Sequence, residues 1–110
     1  DIQVSSNFER LLFDLAGRDG GAIAGMMAGF EASRAMTIPA DMLAGAQDLF
    51  TSVRVDADGM ALALAHAHSR HAMLIDPHTA VGYAAARTVA RDLPADVPMV
   101  TLATAHPAKF

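Results

Sequence analysis

Chain-breaking residues recur so closely along this sequence that no regular element can run far. Gly17 with the Asp19-Gly20-Gly21 run, Thr37-Ile38-Pro39, Asp76-Pro77 and Leu93-Pro94 each close one segment and open another. Between them the apolar residues return at the helical period. Ser6 followed by Glu9 has capping-box spacing, and Phe8, Leu11, Leu12 and Leu15 then share one face. Ile23, Met26, Met27 and Phe30 repeat the pattern. Pro39 opens a third helix at its first position, where its missing N–H costs nothing, and Met42, Leu43, Ala46 and Leu49 follow. Asp56 or Asp58 caps a long Ala-rich helix running to about Arg70. Asp76-Pro77 starts a fifth, with Val81, Ala84, Ala85, Thr88 and Val89 as its buried stripe. Gly82 inside that helix costs about 1 kcal/mol relative to Ala, which predicts close approach of another backbone. Short helices are therefore the expected units.

Two stretches read otherwise. Thr51 to Val55 alternates like a short, half-exposed strand or extended loop. Val97-Pro98-Met99-Val100-Thr101-Leu102-Ala103 is apolar on both faces, the pattern of a buried strand in a parallel sheet. Ile2 and Val4 read as the tail of a further strand. So few strands cannot complete an open sheet, and Thr104 to Phe110 reads as a loop at a binding site. The expectation is a portion of a longer polypeptide, of α/β class and helix-rich, with about five helices, one buried parallel strand and one short strand.

The core must be built from Ala, Leu, Val and Met, because 53% of the residues are hydrophobic and only 5% aromatic. Those residues favour helix. A net charge of −4 with scattered Lys and Arg leaves no basic stripe for nucleic acid. No apolar run reaches the roughly 18 residues of a membrane span. The absence of cysteine leaves no disulfide framework and no thiolate chemistry, which is neutral to mildly favourable for the cytoplasm, the expected compartment. No signal peptide is visible, which says little for a portion of a longer chain.

SSNFERLLF near the start, DPHTAVG in the middle and TAHPAKF at the end together resemble threonine synthase. The resemblance runs over essentially all of residues 1–110 as the C-terminal portion of that enzyme. Residues 18–70 form a helical middle segment, and residues 76–110 a helix, a strand and a cofactor-site loop. It implies a fold type II, tryptophan-synthase-β-like enzyme that uses pyridoxal 5'-phosphate. The implied reaction converts O-phospho-L-homoserine and water to L-threonine and phosphate. The implied partners are that small substrate and the remainder of the same polypeptide, with neither nucleic acid nor membrane. The family's Schiff-base lysine and its Gly/Asn-rich phosphate loop match nothing here, and Lys109, the single lysine, is not in the Schiff-base position. No catalytic residue is assigned, and the chain alone is expected to be inactive.

Thr104 is the position to which the resemblance gives the cofactor's pyridine nitrogen. A neutral hydroxyl can donate to that nitrogen without forcing a charge onto the ring. Ligands of open α/β sheets bind beyond the carboxyl ends of the strands, where Thr104 falls. On the residues alone, a Thr capping the next helix is the competing role. Ser5, Ser6, Asn7 and Arg10 form a helix start with a cation one turn in, and Asp76, His78 and Thr79 form another. Free N–H groups at such starts favour anions, so Ser6, Asn7, Arg10, His78 and Thr79 are candidate substrate contacts beside a plain capping role. His106, held extended by Pro107, is a further candidate. A second class of function is a stand-alone helical binding module holding a metal through His66, His68 and His71. His66 and His68 stand about 200° apart on a helix, which argues against it.

Overall fold

The structure, a computed structural model, describes residues 6–109. The readings placed on Ile2, Val4, Ser5 and Phe110 lie outside them. The elements are α1 (Ser6–Leu15), α2 (Gly20–Ser33), α3 (Ala40–Gln47), α4 (Ala57–His71) and α5 (Pro77–Val89), with 3-10 turns at Ala90–Asp92 and Pro107–Lys109. The chain divides into two compact units at Thr51/Ser52.

The first unit is an apolar cluster. Leu12 of α1 is 1% exposed and meets Ile23 of α2 and Met42 of α3, with Leu15, Ala16, Met26, Met27, Met36 and Ile38 packed around them. The helical spacing of these residues is what brings them to one side. α1 ends where Gly17 takes a left-handed φ of 65°, which glycine adopts without penalty. Asp19 then caps α2 by accepting from the N–H of Ala22 at 3.0 Å. Gly45 sits where α3 crosses α1: a Cβ there would lie 3.2 Å from Cδ2 of Leu15. Pro39 is the N-cap of α3, one position before the helical start expected of it.

The second unit is a helix pair joined through small residues. Ala63 and Ala67 of α4 and Ala80 of α5 are its buried apolar residues. The acidic caps fall as the sequence indicates. Asp56 accepts from Gly59 N–H at 2.8 Å to start α4, and Asp76 starts α5. α4 closes at Ala72, whose left-handed backbone returns its N–H to the His68 carbonyl at 2.9 Å.

Four expectations are corrected. Val97 to Ala103 forms no strand, and Met99, Val100 and Leu102 are 40%, 75% and 76% exposed. Thr51 to Val55 forms none either. The physical reason is common to both: a strand exists through a ladder with a neighbour, and none of the described residues supplies one. On α5 the buried residues are Thr79 and Ala80, whereas Val81 and Thr88 are exposed and Ala84, Ala85 and Val89 half-buried. Gly82 faces a side chain and not a backbone, with Cγ2 of Thr101 lying 3.5 Å from where its Cβ would be.

Candidate functional site

The most buried polar centre among the described residues is the start of α5. Asp76 is 1% exposed, and its carboxylate accepts the N–H of His78 at 2.9 Å, the N–H of Thr79 at 3.3 Å and the hydroxyl of Thr79. Nδ1 of His78 lies 3.4 Å from the same carboxylate. Pro77 at the first helical turn contributes no N–H that would need a partner. The Thr79 hydroxyl is the main influence holding the Asp76 carboxyl below its ordinary range. The N–H groups of Thr79 and His78 and the His78 side chain act the same way, against burial, which raises it. Thr79 is thus committed to Asp76, while His78 is partly exposed at the rim.

Across α4 and α5 stands a second polar group. Nδ1 of His66 is 2.9 Å from the hydroxyl of Tyr83. The His66 ring also lies 5.7 Å from that of His71, and the Arg87 guanidinium sits 5.7 Å over the Tyr83 ring. Desolvation, then the charges of Arg87, His71 and Arg70, push the His66 imidazole below its ordinary value. His66 therefore pairs with Tyr83. Among the described residues no three His, Cys, Asp or Glu side chains gather to hold an ion. Tyr83 and Arg87 were not singled out by sequence. Their i, i+4 spacing on α5, one turn beyond Thr79, is the only signal that marked them.

Each unit carries an open cleft. In the first, Ser6, Glu9, Arg10, Phe13, Gly20 and Ile23 line about 420 Å³ between α1 and the start of α2. Ser6 and Arg10 are brought together there, and Asn7 is exposed beside them. In the second, Leu74, His106, Pro107 and Ala108 line about 620 Å³. Nδ1 of His106 accepts the N–H of Ala108 at 3.2 Å, so a neutral His106 carries its proton on Nε2. Thr104 is exposed two residues before it, and Thr101 is half-buried against α5.

Among the described residues the segment is helix-rich, with side-chain-capped helix starts and open clefts. No helix of the described residues is long and apolar enough to cross a membrane. Residues 79–110 match the family described as threonine synthase, C-terminal. Threonine synthase of Pseudomonas aeruginosa is 47% identical over 110 residues, which cover this whole chain and 23% of that protein. That of Saccharomyces cerevisiae is 34% identical over 125 aligned residues, covering all of this chain and 24% of the yeast protein. A pyridoxal-phosphate-bound threonine synthase structure from Brucella melitensis superposes on 99% of this chain and 23% of its own, with a TM-score of 0.79 and 43% identity. The chain is related to the threonine synthases along its whole length and spans about a quarter of the length of these relatives.

Proposed function

We propose that this chain forms the C-terminal part of the cofactor and substrate site of a threonine synthase, which converts O-phospho-L-homoserine and water to L-threonine and phosphate. The observation that carries the reading is similarity over the whole chain to a pyridoxal-phosphate-bound threonine synthase, in sequence and in fold together. Bound pyridoxal phosphate supplies an electron sink for charge developing on the substrate carbons. The residues here fit one part of its binding. The Thr104 side chain is exposed, where it can donate its hydroxyl to an unprotonated ring nitrogen.

In this reading Ser6, Asn7 and Arg10 hold an anionic group of the substrate. Arg10 and Ser6 line one cleft, and a guanidinium with a hydroxyl suits a phosphate. At the start of α5, His78 is the contact the geometry favours, because the Thr79 hydroxyl already serves Asp76. His106 offers an Nε2–H donor fixed by its bond to Ala108. The exposed Leu62, Leu74, Val100 and Leu102 form surfaces that the remainder of the longer polypeptide covers, the cytoplasm being its expected compartment.

The test is a comparison of this chain with an intact threonine synthase containing it. With pyridoxal phosphate and O-phosphohomoserine, the intact enzyme should release phosphate and show a visible cofactor band, and the chain alone should do neither. Turnover by residues 1–110 alone, or an intact enzyme inert toward O-phosphohomoserine, defeats the proposal.

A further inference from the structure

The second polar group has no role in that reading, yet it is the main polar link between α4 and α5. His66 and Tyr83 lie 17 residues apart, and their 2.9 Å bond is partly buried. The groups that face His66 are Arg70 and His71 on its own helix and Tyr83 and Arg87 on the partner helix. No carboxylate is among them. The His66 ring thus sits among two guanidiniums, a second imidazole and a phenol.

We propose that the His66–Tyr83 pair is a proton-operated latch between α4 and α5, closed when His66 is neutral and loosened when it takes a proton. The 2.9 Å contact admits either tautomer, and the latch assigns the one in which Tyr83 donates its hydroxyl proton to Nδ1 of neutral His66 while the imidazole carries its own proton on Nε2. Protonation puts a hydrogen on Nδ1. The Tyr83 hydroxyl must then turn and accept, so the bond can reverse. What cannot be relieved locally is the new charge, which stands beside Arg87 and Arg70 with no anion facing it. Arg87 also lies over the face of Tyr83, so repulsion between His66 and Arg87 acts on the phenol that joins the helices.

The direction in pH follows from the lowered imidazole. The folded state prefers neutral His66, and the unfolded chain titrates near 6.5. The unfolded state therefore binds more protons below that value. The latch is fully closed above pH 6.5 and opens progressively as pH falls from there through the lower folded value.

The test is hydrogen exchange by mass spectrometry on the intact polypeptide, at several pH values from 7.5 to 5.0, with intrinsic rates corrected for pH. Peptides from α4 and α5 should lose protection severalfold across that range, and peptides from α1 to α3 should not follow. His66→Asn places a non-titrating acceptor near the Nδ1 position, and its α4–α5 protection should be flat with pH. Tyr83→Phe should give reduced protection at every pH, again flat. Arg87→Gln should shift the wild-type transition to higher pH by removing one facing charge. Unchanged α4–α5 protection in wild type, or a His66→Asn variant that keeps the full pH response, overturns the latch. The latch stands apart from the enzymatic assignment, because none of these readouts depends on turnover.

Discussion

The two halves of this chain are held by different means. Around Leu12, Ile23 and Met42 the contacts are between large apolar side chains, and no titratable group is buried with them. Around Ala63, Ala67 and Ala80 the buried apolar groups are single methyls, the His66–Tyr83 pair links α4 to α5, and Asp76 with Thr79 fixes the start of α5. Large side chains yield stability in proportion to the area they remove from water. Methyls yield little area, but they let two helices approach closely, so the geometry depends on fit and on polar pairs. The first half should thus be sensitive to cavities and indifferent to mild acid. The second should be sensitive to added volume and to pH.

The largest expected effect breaks the apolar half. Leu12→Ala leaves a cavity in a side chain's place at the centre of that cluster and should cost about 2–5 kcal/mol. Denaturant unfolding gives the total, and exchange by segment should assign the loss to residues 6–47. A comparable loss of protection in 57–89 would show that the halves share one core.

Next comes Ala67→Leu, which adds three carbons at the α4–α5 contact and should cost about 1–3 kcal/mol through overpacking. The same exchange measurement should place this loss in 57–89. A neutral result would mean that the helices have space between them, contrary to the burial of Ala67 and Ala80.

A smaller effect sharpens the electrostatic side. Asp76 ionises more readily when folded, so its contribution is complete above about 3.8, its ordinary value, and is lost as pH falls through the lower folded value. Below pH 3.8 the start of α5 should lose protection before α1 does. Asp76→Asn should remove that step while keeping an acceptor for the cap. If the wild-type step persists in Asp76→Asn, another carboxylate is responsible.

Much of the helical architecture was legible because caps are local. Asp56 and Asp76 act within three residues of themselves, and both caps stand where the sequence put them. The apolar face of α1 and α2 was legible for the same reason. The strand expected over Val97–Ala103 was not, because an apolar run reports an apolar environment and not the hydrogen-bonded neighbour that a strand requires. The α5 stripe was misplaced because Val81 and Val89 looked like core, while the contact with α4 admits only the small Ala80 and Thr79 beside Asp76. The His66–Tyr83 pair was hidden by its separation along the chain, and three nearby histidines drew attention to a metal instead. At the candidate site, sequence marked Ser6 and Arg10 together and the structure seats both on one cleft. It could not show that Thr79 is already engaged by Asp76.

The central claim is that this chain brings a neutral donor to the cofactor ring through Thr104, and a pair of isosteric variants in an intact threonine synthase tests it most directly. Thr104→Val keeps the shape and removes the hydroxyl, which on the proposed reading leaves the ring nitrogen without its donor where the rest of the intact enzyme closes over it. That should cost about 1–3 kcal/mol, or roughly one to two decades in cofactor affinity or rate. Thr101 is half-buried with its Cγ2 near Gly82, so Thr101→Val keeps the methyl contact and should titrate cofactor and turn over as wild type does. The account predicts loss in Thr104→Val alone. Normal cofactor titration and turnover in Thr104→Val, with loss in Thr101→Val, would contradict it.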